Sequence, residues 1–164
     1  MGATFRMAAA LVTLTALSIL GIGASFAIAF LAGPGSASTH VLLGVFGTML
    51  NLLAHSFMMF YLIGKGKAVK DAMAEAGIAG DYVLRISRLR TPVFSRATMA
   101  MALTMTAGIM GASVDVRVMP SWPHAIVAGA ALAYQIYAFR TELAALKGSA
   151  RVVDEVNARL ITNQ

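Results

Sequence analysis

From Met7 to Ala32 the chain runs for 26 residues without a charged side chain, and three comparable stretches follow. Val41 to Ile63 is 23 residues, Ala97 to Val114 is 18 (23 counted from Pro92), and Ser121 to Phe139 is 19. A helix needs about 20 apolar residues to cross a ~30 Å hydrocarbon layer. Only helices or closed barrels satisfy every backbone group in lipid, and no run alternates as a transmembrane strand does. Gly33-Pro34-Gly35 ends the first run, Gly64-Lys65-Gly66-Lys67 the second, and Arg140 the fourth. The pattern predicts an all-α integral membrane protein, a four-transmembrane-helix bundle spanning at about 7–32, 41–63, 92–114 and 121–139.

Composition agrees. Hydrophobic residues make up 59% of the chain and charged residues 12%, against roughly 45–50% and about 25% in soluble domains. This excludes a disordered chain, an enzyme with a charged shell and a nucleic-acid binder, despite a pI near 10.2. The absence of cysteine excludes a disulfide frame, Cys-ligated zinc, an iron–sulfur cluster and a thiol nucleophile. Three histidines and seven carboxylates leave little catalytic material, so a non-enzymatic role is expected.

Basic residues set the orientation. Arg6 precedes the first run; Lys65, Lys67, Lys70, Arg85, Arg88, Arg90 and Arg96 lie between the second and third; Arg140, Lys147, Arg151 and Arg159 follow the fourth. Only Arg117 falls on the other side. The positive-inside rule then predicts cytoplasmic termini, a cytoplasmic loop 64–91 and a multi-pass protein of the cell inner membrane. The first run is too long for the h-region of a signal peptide, about 7–15 residues, and is expected to stay as a membrane helix.

Within the loop, Lys67 to Ala76 puts Val69, Ala72, Met73 and Ala76 on one face. Asp81 can cap a second piece with Tyr82, Val83, Ile86 and Leu89 opposite Arg85 and Arg88. Lys65, Lys67, Lys70, Arg85 and Arg88 suit the anionic surface of the bilayer; a loop folded against its own bundle is the equal alternative. Gly64-Lys65-Gly66-Lys67 lacks the spacing of a phosphate loop, which excludes nucleotide binding. The segment 141–164 extends the fourth helix into the cytoplasm. Its Leu143, Leu146, Ala150, Val153, Asn157 and Leu160 repeat at coiled-coil spacing, for a partner, for a second copy, or for its own loop.

Polar residues inside the spans are costly unless paired. Gly44, Thr48, Asn51 and His55 share one face of the second helix, and Gln135 lies at a similar depth on the fourth. With Thr15, Ser18 and Thr104 they predict a hydrogen-bonded layer centred on Asn51, His55, Gln135 and Thr104. It serves either as an interhelical clamp or as a site for a quinone headgroup or a proton. His40 and His124 sit at the outer ends of their helices, where two facing imidazoles suit a b-type haem and Asp115 with Met119 would suit copper. Equally, both are ordinary interface histidines, with Trp122 an anchor and Pro123 a helix start. The eleven methionines make no ligand ladder and serve as adaptable packing. Small residues such as Gly21, Gly44, Gly47, Gly108, Gly111 and Gly129 favour close helix contact.

The leading expectation is a non-catalytic accessory or scaffold subunit of a larger membrane complex, contacting lipid and either other membrane subunits or its own copies. The alternative is a redox membrane anchor binding haem b or quinone in an electron-transfer complex. A small transporter ranks third, because no span is broken and no inverted repeat is evident.

Overall fold

The computed structural model describes residues 2–31 and 33–162; Ala32, at the end of the first predicted span, and the chain ends Met1, Asn163 and Gln164 lie outside them. Among the described residues every regular element is helical. Helix α1 (Gly2–Leu31) leads through a 3₁₀ turn (Pro34–Ser36) to α2 (Ala37–Glu75); α3 (Tyr82–Asp115) and α4 (Ser121–Thr162) follow. Three of the four are long and apolar enough to cross a membrane: α1 over Arg6–Leu31, α2 and α3. In α4 the apolar stretch is diluted by Ser121, His124, Tyr134, Gln135 and Tyr137.

The bundle is apolar outside and polar within, the inverse of a water-soluble domain. Leu20, Phe30, Leu42, Phe60, Ile109 and Ile126 are exposed, while Thr15, Ser18, Asn51, His55, Gln135 and Glu142 are buried. Lipid-facing side chains have no cause to turn inward, and polar groups have no partner in hydrocarbon. α1 pairs mainly with α2, and α3 with α4. The first pair crosses at Gly21 and Gly47, where a Cβ on Gly47 would lie 2.9 Å from both the backbone N and Cγ1 of Ile22. This is the small-residue contact the sequence suggests.

The basic segment 64–91 is not a loop carrying two free amphipathic pieces. Lys67–Glu75 continues α2, residues 82–91 begin α3, and only the turn 76–81 separates them. A single helical glycine costs about 1 kcal/mol relative to alanine, so Gly64 and Gly66 do not stop a helix whose next turns bury Val69 and Met73. Gly77 ends it: at φ +62° it lets Ile78 N–H donate to Met73 O (3.0 Å) and Gly77 N–H to Ala74 O (3.4 Å), the paired bonds of a Schellman motif. Asp81 precedes α3 without making a side-chain cap bond. Arg117, at φ +60°, ends α3 through the same pair of bonds, to Ser113 O and Val114 O, without a glycine.

At roughly 60 Å each, α2 (39 residues) and α4 (42 residues) outreach the hydrocarbon layer. Their extensions and the start of α3 form a second packed body. One core cluster joins Leu11, Met58, Leu62, Val93, Ala145 and Leu146; the next joins Val69, Met73, Ile86, Val152 and Val156. The proposed coiled-coil seam is therefore occupied within the chain. Its inward line is Leu146, Ser149, Val152 and Val156, rotated from the predicted one, and it lies on α2 and α3. Leu143 is half-buried, Val153 and Leu160 flank the second cluster, and Asn157 is exposed. Gly148 permits this docking, since a Cβ there would come within 2.9 Å of both Leu89 methyls.

Candidate functional site

The face of α2 bearing Asn51 and His55 meets Thr104 of α3 and Gln135 of α4 in one connected chain of side chains. Thr104 Oγ1 donates to Ala100 O (2.8 Å) and accepts from Asn51 Nδ2 (3.0 Å). Asn51 Oδ1 in turn accepts from Gln135 Nε2, which also approaches Ser18 Oγ at 3.5 Å. Gln135 Oε1 faces His55 Nε2 at 3.1 Å, and His55 Nδ1 meets Glu142 Oε1 at 2.5 Å. His55 is fully buried and Glu142 is 1% exposed.

Backbone bonds fix the direction of this chain. The Thr104 hydroxyl proton is committed to Ala100 O and that of Ser18 to Thr15 O (2.8 Å), so both oxygens can only accept from the amides. Gln135 therefore turns its Nε2 toward Asn51 and Ser18 and its Oε1 toward His55, whose Nε2 must carry a hydrogen. A single proton then lies between His55 Nδ1 and Glu142 Oε1. The pair holds it as imidazolium and carboxylate or as imidazole and carboxylic acid, neutral in sum either way. Glu142 Oε2 is buried and, among the described residues, has no hydrogen-bond partner.

Glu142 is absent from the sequence-derived layer, because Arg140 marks the end of the apolar run. A signal was present: seven residues, two helical turns, put Glu142 on the face of Gln135. Beside it Arg96 donates to Thr141 Oγ1 (2.5 Å) and stacks over the Tyr137 ring at 4.6 Å.

His40 and His124 are brought together at the other end of the bundle, with ring centres 6.1 Å apart and planes at 78°. Each commits Nδ1 to a backbone carbonyl of another helix: His40 to Ser25 O (2.8 Å), His124 to Ala107 O (3.0 Å). Donation there puts the ring hydrogen on Nδ1 and leaves Nε2 basic, the tautomer that binds a metal through Nε2. Ser25 Oγ answers by donating to His40 O (2.8 Å). Both histidines line a cavity of about 360 Å³ with Phe26, Phe30, Gly44, Gly108, Gly111 and Asp115, reaching down to Thr48 and Thr104. A Cβ at Gly108 would meet nothing within 4 Å, whereas at Gly111 it would press within 3.1 Å of His124 Cε1. Thr104 thus belongs to both the cavity wall and the polar chain. Asp115 shares the cavity, but among the described residues no group of three or more His, Asp or Glu gathers to hold a metal ion.

The basic residues divide. Lys67, Lys70 and Arg88 are exposed, Lys65 Nζ lies 5.2 Å from the Tyr61 ring centre, and Arg85 forms a bidentate pair with Glu155 of the tail (2.5 and 2.8 Å). Arg85 therefore ties the start of α3 to α4. No protein-family model, curated protein or solved structure matches this chain.

Proposed function

We propose that the protein is a four-span redox anchor of the cell inner membrane, with both termini cytoplasmic, holding a b-type haem between His40 and His124 within a larger electron-transfer complex. The carrying observation is a pair of imidazoles with ring centres 6.1 Å apart, each anchored through Nδ1, in a cavity walled by small and aromatic side chains. His40 and His124 are the residues that would hold the haem. Haem would supply one-electron transfer; the chain's own residues orient the two ligands and exclude water. Gly108, where a Cβ would meet nothing within 4 Å, leaves open space, and Phe26 and Phe30 supply apolar walls.

One of the grounds for the leading scaffold expectation was an apolar seam in the tail, and Leu146, Val153 and Leu160 of that seam pack against the chain's own core. An accessory role inside a complex is compatible with the redox role; a bare scaffold has less to recommend it. The reduced-minus-oxidised absorption spectrum of the detergent-purified protein provides the test. A Soret and α band lost in His40→Ala and in His124→Ala, and kept in Asn157→Ala, is the expected result. A colourless protein from haem-replete cells, or a band that survives both histidine variants, overturns the assignment.

A further inference from the structure

On the side of the helix extensions, α3 and α4 enclose a second cavity, of about 370 Å³. Three arginines line it, Arg88 and Arg96 from α3 and Arg140 from α4, with Leu89, Pro92 and Ala144 as its apolar part. No carboxylate lies in its wall. Arg85, one turn before Arg88, has Glu155 as its counter-ion, but among the described residues none of these three arginines is paired with an acid. Arg96 is held by Thr141 and the Tyr137 ring, neither of which neutralises it. Three guanidinium groups thus line one cavity whose wall has no carboxylate, and guanidinium forks match phosphate oxygens two at a time.

Depth says which anion. The cavity sits where the apolar run of α4 ends, at Arg140, and where that of α3 begins, at Pro92 to Arg96. On the span assignment proposed above, that is the headgroup level of the cytoplasmic leaflet, where basic pockets between helices take up anionic lipid heads. Just toward the hydrocarbon, Ile136 and Tyr137 are exposed on α4, an apolar surface along which an acyl chain can lie. A free phosphate would satisfy the arginines and leave that surface unused. We infer that the Arg88–Arg96–Arg140 cavity binds the phosphodiester headgroup of an anionic phospholipid. The inference rests on the membrane topology and is independent of haem.

Native mass spectrometry and thermal unfolding of the detergent-solubilised protein test it, with phosphatidylglycerol, phosphatidylcholine and inorganic phosphate as probes. Phosphatidylglycerol should give a retained one-to-one adduct and raise Tm; phosphatidylcholine and phosphate should do neither. Among the described residues Arg88 and Arg140 have no hydrogen-bond or ion-pair partner, so Arg88→Gln/Arg140→Gln should fold normally, bind phosphatidylglycerol about tenfold more weakly or worse, and lose the Tm gain. Lys67→Gln/Lys70→Gln removes the same charge from an exposed face and should change neither readout. Equal loss in the lysine variant would reduce the effect to surface charge and overturn the site. Unchanged binding in the arginine variant would also overturn it. Stabilisation by inorganic phosphate alone would reassign the cavity to a soluble anion. A topology experiment that places this end outside would remove the cytoplasmic-leaflet argument while leaving the lipid titration to decide the site.

Discussion

His55 and Glu142 are 87 positions apart, and their side chains meet at 2.5 Å in the core of the bundle. The contact closes the polar chain at the end nearer the helix extensions and joins α2 to the extension of α4. Stripped of its partner, either group would be a buried ionisable side chain with no counter-charge, the most costly condition for such a group.

Loss of both partners should therefore cost less than the sum of the two single losses. Glu142→Leu and His55→Leu are each expected to destabilise by about 3 kcal/mol or more. The double variant should fall short of their sum by about 1–3 kcal/mol, because the two residues share one interaction. Thermal unfolding in a fixed detergent measures all four species. Strictly additive losses would mean that the two side chains do not couple.

The α1–α2 crossing makes a sharper demand on a single position. Gly47→Ala puts a methyl 2.9 Å from backbone as well as side-chain atoms of Ile22, so the helices must separate. A loss of about 1–3 kcal/mol is expected, as for overpacking elsewhere. At Gly64 a Cβ meets nothing within 4 Å, and Gly64→Ala should stabilise by up to about 1 kcal/mol through helix propensity. Comparable effects from the two alanines would mean that α1 and α2 do not cross at Gly47.

Docking of the tail should depend on pH in one direction. The Arg85 guanidinium, bonded to Glu155, holds that carboxyl below its ordinary value, and the Arg85 pKa is raised by the same bond. A carboxyl whose pKa is lowered on folding contributes stability above its unfolded value and loses that contribution as pH falls through the folded one. Amide hydrogen exchange in α4 beyond Glu142 should thus differ between wild type and Glu155→Gln at neutral pH. The difference should disappear below the ordinary carboxylate range of about pH 4 and shrink in high salt. A difference that grows on acidification would contradict the pair.

Topology is open to direct measurement. Reporters inserted at Gly77 and fused after Gln164 should both report the cytoplasm, and one at Ser36 the outside, if all four helices cross. A fusion after Gln164 reporting the outside while Gly77 stays cytoplasmic would show that α4 does not span, and the four-span assignment would fall.

Sequence alone determined where hydrocarbon can be met and which side chains cannot face it. Transfer to lipid is a property of each residue, so the long uncharged stretches of α1, α2 and α3 and the inward face of Asn51 and His55 are legible one position at a time. The interior partnership of Asn51, His55, Gln135 and Thr104 was legible as a common depth, because spans of similar length align their polar positions. Which helix faces which was not. Tertiary structure decided that Glu142 completes the chain, since its burial depends on α2 and α3 running on beyond the apolar runs to enclose it. It also gave Arg85 a partner in Glu155, and rotated the inward line of the tail from Leu143, Val153 and Leu160 to Ser149, Val152 and Val156. Those outcomes depend on pairs of surfaces brought together across scores of residues, and apolar spacing along one helix leaves open which of two adjacent stripes its neighbours will cover.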